Sequence, residues 1–106
     1  MGQKELSKEQ IPALGQYWFV MYSKGLHWQM DLTSKSKIEQ KHLDYSWVQL
    51  KAGKLISAGP FTDKINWTGC LIYNCQSKEE VEKIAEADPL VSSKIVSYEI
   101  HPWKTH

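Results

Sequence analysis

The sequence predicts an α+β fold with element order β-α-β-β-α-β, an antiparallel four-stranded sheet carrying two helices on one face. Three observations lead there. Tyr17-Trp18-Phe19-Val20-Met21-Tyr22 is aromatic or apolar at every position and reads as a strand. Ser36 with Glu39, and Ser77 with Glu80, both have the spacing of a capping box, which opens a helix. Two apolar runs fall between these helices and one after the second, the order of the split βαβ, or ferredoxin-like, arrangement.

Taken in turn, Tyr17 to Tyr22 forms the first strand, and Ser23 to Lys35 is a polar, irregular loop broken by Gly25 and Asp31. The first helix is expected from Ser36 to about Ala52, with Gly53 as its left-handed C-terminal cap. Leu55 to Phe61 is the second strand, Thr62 to Thr68 a turn, and Gly69 to Cys75 the third strand. The second helix follows Ser77 with Val81, Ile84 and Ala85 on one face. It is limited by Pro89, because the residue before a proline is pushed out of helical angles. Ile95 to His101 is the final strand, closed by Pro102 and Trp103.

The 106 residues suffice for one domain. It is expected over 17–103, between a polar N-terminal extension, 1–16, and a short tail, 104–106. Thirteen lysines balance twelve acidic residues with no arginine, a net charge of +1. That balance argues against a nucleic-acid partner, which calls for a basic stripe and guanidinium clamps. No long apolar run suggests a membrane span, and five tryptophans with five tyrosines exclude a disordered chain. The N-terminus has no apolar core of a secretory signal, and Leu6 stands where a myristoylation motif needs Ser or Thr. Asn66-Trp67-Thr68 has the glycosylation pattern but reads as a turn.

Cys70 and Cys75, if on one strand, point to opposite faces and lie about 16 Å apart, beyond the roughly 7 Å a disulfide spans. Two reduced core thiols in a cytoplasmic protein are therefore expected. The four histidines show no metal-ligand spacing, and phosphate-loop, dinucleotide and nucleophile-elbow motifs are missing. No metal or cofactor is expected.

A sheet with one face in water alternates apolar and polar residues. Neither Tyr17–Tyr22 nor Cys70-Leu71-Ile72-Tyr73 does so. The face away from the helices is therefore expected to be covered, most economically by a second copy of the chain, as a homodimer or a higher oligomer.

A family resemblance rests on His42-Leu43, Ala52-Gly53-Lys54-Leu55, Ala58-Gly59-Pro60-Phe61, Ala87-Asp88-Pro89 and Ser97-Tyr98-Glu99-Ile100-His101-Pro102-Trp103. In that order they resemble the YCII-related family of the dimeric α+β barrel superfamily, over roughly Tyr17 to Trp103. The resemblance implies a homodimer with a pocket between sheet and helices, and a His–Asp pair at His42 and Asp88. One type of relative dehydrochlorinates hydroxylated aromatic rings. Neighbouring superfamilies include lactone isomerases and cofactor-free monooxygenases.

His42 projects to the edge of a helical stripe defined by Leu43, Trp47 and Leu50, on the side shared with Ser46. It is either a half-buried histidine satisfied by a backbone carbonyl or a general acid or base at a pocket wall. Asp88 continues the inward register of Val81, Ile84 and Ala85. It either closes an Asp-Pro turn or, as the resemblance implies, orients His42. Ser57, Gly59 and Pro60 mark either a bulge at a sheet edge or an opening that lines a substrate pocket. His27, Trp28 and Asp31 read as exposed loop decoration, and His101 and Trp103 as strand-end packing. Beside a purely structural dimerisation domain, two functions fit these residues. One is a cofactor-independent enzyme moving a proton on a small cyclic or aromatic molecule, with elimination or isomerisation. The alternative is a non-catalytic module that binds or senses a small molecule.

Overall fold

The computed structural model describes residues 15–105; residues 1–14 and His106, and with them most of the expected N-terminal extension, lie outside the described residues. The elements are β1 (Gly15–Lys24), α1 (Leu32–Lys51), β2 (Leu55–Pro60), β3 (Trp67–Tyr73), α2 (Lys78–Ala87), a short α3 (Pro89–Ser92) and β4 (Val96–Thr105). Every neighbouring pair of strands is antiparallel, in the order β2-β3-β1-β4. This is the ferredoxin-like α+β fold, with one helix added. Gly15 and Gln16 already belong to β1, and β4 runs through Pro102 to Thr105 rather than stopping at His101.

The helices start and stop for identifiable reasons. α1 begins one turn before Ser36, because the Asp31 carboxylate accepts the Ser34 N–H at 2.9 Å and serves as the cap. Two hydrogen bonds close its far end, Gly53 N to Leu50 O and Lys54 N to Gln49 O, across a Gly53 with φ of 76°. Ser77 caps α2 by accepting from Glu80 N at 3.2 Å. Pro89 ends α2 as expected, but its fixed φ also suits a first helical turn, so it starts α3 immediately afterwards. Asp88, extended at ψ 128°, is the joint between the two.

Strand alternation assigns the sheet faces. Val20, Tyr22, Leu71, Tyr73 and Val96 turn toward the helices and join Leu55, Val81 and Ile95 in the core. Phe19, Met21, Cys70 and Ile72 occupy the opposite face, half-buried within the single chain. There the Phe19 and Trp103 rings meet edge to face at 5.5 Å.

Two irregularities interrupt the ladder. Leu55 pairs with Tyr73 but Ser57 with Ile72, so Ile56 is an extra residue that turns Ser57 onto the open face. A second shift lies between Tyr22 and Ser23, where the Thr68 hydroxyl donates to the Tyr22 carbonyl oxygen at 3.2 Å. Cys75 lies two residues beyond β3, so the cysteines do not share a strand as expected; both are free thiols.

The expected apolar stripe of α1 is corrected by its exposure. Leu43 and Trp47 each keep 59% of their surface accessible, whereas Ser46 is buried and Ile38 packs on the core. The inner face of α1 is thus more polar than the sequence suggests, because a pocket, not packed core, lies under part of the helix.

Candidate active site

Three elements bring one side chain each to a single point. β1 supplies Tyr22, α1 supplies His42, and the joint between α2 and α3 supplies Asp88. Asp88 is fully buried, at 0% exposure, while the His42 side chain retains 17%. His42 Nδ1 lies 2.7 Å from Asp88 Oδ2 and 2.9 Å from Oδ1. The Tyr22 hydroxyl donates to Oδ2 at 2.6 Å, and the Leu90 backbone N–H donates to Oδ1 at 2.9 Å. A carboxylate only accepts, so the proton of the His42–Asp88 bond sits on Nδ1. In the neutral ring Nε2 then carries a free lone pair.

Asp88 thus brings a carboxylate into a largely apolar, buried setting. Burial, and then the charge of Asp88, push the Tyr22 hydroxyl far above the usual phenol range, so it stays a neutral donor. The same two causes raise Tyr73 and, less strongly, Tyr45. The Tyr45 hydroxyl itself donates to Ile84 O at 2.8 Å, tying α1 to α2.

His42 and Tyr22 line a pocket of about 530 Å³ between α1, the β2–β3 end of the sheet and the loop after β1. Its wall is mainly apolar, with Trp28, Leu43, Trp47 and Leu71, and its polar points include Glu39, Ser46, Lys64 and Thr68. This is the usual make-up of a small-molecule site, an apolar cleft with a few placed polar groups. Ala58, Gly59 and Pro60 belong to the wall. Ser57 does not, since the bulge at Ile56 turns it to the other face.

The loop after β1 contributes more than decoration. Trp28 is a wall residue whose indole lies beneath the Lys35 ammonium, 3.6 Å from the ring centre. Asp31 is the α1 cap, and His27 Nδ1 lies 3.2 Å from Ser93 O. His101 Nε2 is 3.2 Å from Glu99 Oε2 on the exposed side of β4. Tyr22 is the site residue that sequence reasoning missed. Its signal was present: a tyrosine on the core-facing side of a strand needs a partner for its hydroxyl.

A family model described as the YCII-related domain matches residues 16–104. The chain belongs to the YCII-related family. Among solved structures, this YCII-related chain is similar to the 5-chloro-2-hydroxyhydroquinone dehydrochlorinase of Burkholderia phenoliruptrix AC1100, determined in complex with 2,5-dihydroxybenzoquinone. The two share 28% identity with a TM-score of 0.60, over 84% of this chain and 95% of the other. No curated protein matches the chain.

Proposed function

We propose that this YCII-related chain is a cofactor-independent enzyme that carries out proton-transfer elimination or isomerisation on a small cyclic or aromatic molecule. The observation that carries the reading is the His42–Asp88 pair beside an apolar pocket. Asp88 fixes the ring with Nδ1–H toward itself and would stabilise the imidazolium formed in the reaction.

In the proposed step His42 Nε2 takes a C–H or O–H proton from the substrate. The released electron pair forms a new π bond, and in an elimination a leaving group departs with its own bonding pair. The imidazolium then returns the proton to solvent or, in an isomerisation, to another substrate atom. The 28% identical neighbour named as a dehydrochlorinase supports this class.

Gly59 and Pro60 serve as substrate-binding wall in this reading. Ser57, expected in the same role, faces away in the single chain. The chain works as a homodimer through its open sheet face, which the cluster of Phe19, Met21, Ile72 and Trp103 supports. Its two free thiols suit a reducing cytoplasm.

The test is chloride release from 5-chloro-2-hydroxyhydroquinone and a panel of chlorinated hydroquinones. The native protein is expected to turn over at least one, and His42→Gln to lose activity on the order of 10²–10⁴-fold with folding intact. Saturable binding of the panel with no turnover would replace the enzyme by the ligand-binding module.

A further inference from the structure

Asp88 holds more than its histidine. Each carboxylate oxygen has one donor besides His42: the Leu90 amide on Oδ1 at 2.9 Å and the Tyr22 hydroxyl on Oδ2 at 2.6 Å. The first is backbone and fixed by α3. The second is a side chain, 3% exposed, whose own carbonyl oxygen accepts from Thr68 at the ladder irregularity. Its ring lies 6.4 Å from that of His42, centre to centre.

We propose that Tyr22 is a positioning residue of this site, whose hydroxyl locks the Asp88 carboxylate and limits that carboxylate's hold on the His42 proton. The inference rests on the proposed role of the His42–Asp88 pair and deepens it.

The physical argument is competition for one charge. A hydrogen bond donated to a carboxylate spreads its charge and weakens its attraction for any other proton nearby. A short phenol hydrogen bond on the oxygen closest to Nδ1 therefore opposes the drift of the pair toward a permanent imidazolium. A ring held permanently in that form would offer no lone pair to a substrate. Tyr22 stays protonated at all ordinary pH, since burial and the Asp88 charge both disfavour a phenolate. It is thus a constant influence and not a second switch.

Among the described residues, Tyr45 on α1 and Tyr73 on β3 also feel the Asp88 charge, and Glu39 on α1 and Lys64 in the β2–β3 turn line the adjoining pocket. Of the tyrosines, only Tyr22 donates to Asp88.

The experiment needs no substrate. The full chain is prepared with isotope-labelled histidine, and the His42 ring resonances, identified by their loss in His42→Gln, are followed against pH. In Tyr22→Phe the His42 midpoint should move to higher pH by roughly one unit relative to the native protein. With 3-fluorotyrosine at position 22, a stronger donor of nearly the same shape, it should move to lower pH; this arm remains if the phenylalanine variant fails to fold. Tyr45→Phe, whose hydroxyl serves Ile84, should leave the midpoint in place. Asp88→Asn should shift it downward, because the ring loses its anionic partner.

A midpoint unmoved by either Tyr22 change but moved by Asp88→Asn would overturn this inference and leave the pair standing. A midpoint unmoved by Asp88→Asn as well would overturn both this inference and the proposed function.

Discussion

The Leu90 backbone N–H donates a 2.9 Å hydrogen bond to Asp88 Oδ1, so the side chain that holds His42 is also the N-cap of α3. The Asp-Pro turn role and the histidine-orienting role, opposed readings of the sequence, are filled by one carboxylate at once. Substitution separates them. Asp88→Asn keeps an oxygen for the Leu90 amide but turns an NH₂ group toward His42 or Tyr22, favouring the wrong ring tautomer. Its activity should fall on the order of 10²–10⁴-fold. Asp88→Ala also strips the cap and leaves the Tyr22 hydroxyl buried without an acceptor, and should destabilise by about 3–5 kcal/mol. Urea unfolding of the two variants beside the native chain checks the contrast; equal destabilisation would argue against it.

Gly69 exists because β2 passes too close for a side chain. A Cβ there would stand 2.8 Å from the Gly59 carbonyl oxygen and 3.2 Å from Pro60 Cα, both backbone atoms that cannot swing aside. Gly69→Ala is expected to cost about 1–3 kcal/mol through overpacking and to shift the Gly59–Pro60 wall. Gly53→Ala meets no neighbouring atom within 4 Å but must adopt φ near 76°, for about 1 kcal/mol. Thermal melts should therefore rank Gly69→Ala at or below Gly53→Ala.

Stability should decline in alkali. Burial, reinforced by a hydrogen bond to Glu80, pushes the Cys75 thiol from 9.0 up to about 12, and burial with the Asp88 charge raises Tyr22 and Tyr73 above 10.0. The folded chain keeps these protons after the unfolded chain has lost them. The stability linked to them is therefore complete below about pH 9. It falls from there for Cys75 and from about pH 10 for the tyrosines. Urea midpoints at pH 8, 9.5 and 10.5 should drop successively, and Cys75→Ala should be flatter over the first interval. A constant midpoint would contradict the buried, protonated state of these groups.

Assembly is testable through the open sheet face. Light scattering of the native protein should give at least twice the 12.3 kDa chain mass, and Ile72→Glu, which places a charge at the centre of that face, should return it to one chain. A folded native monomer at micromolar concentration would remove the dimer from the proposal.

The sequence alone was enough for the order of the four strands and the two main helices, though not for α3, because these depend on local signals: unbroken apolar runs, a capping oxygen at Ser77, a glycine at position 53. It also put His42 on α1 and turned Asp88 inward where α2 ends, since register along a helix carries direction; their pairing came from the family resemblance. It misplaced what depends on contact across the chain. The capping-box spacing points to Ser36 as the start of the first helix, whereas in the folded loop Asp31, which reads as loop decoration, accepts the amide of Ser34 and caps it a turn earlier. Ser57 was read with Gly59 and Pro60 as one wall, but an extra residue in a ladder leaves no mark in the strand's own residues, and the bulge at Ile56 reversed its face. Leu43 and Trp47 look like core by period, yet they border an open pocket, because apolarity cannot say whether atoms or empty space lie opposite. The tertiary structure alone decided that Tyr22 shares the Asp88 carboxylate with His42, since a hydrogen bond linking residues 66 positions apart is written in no local pattern.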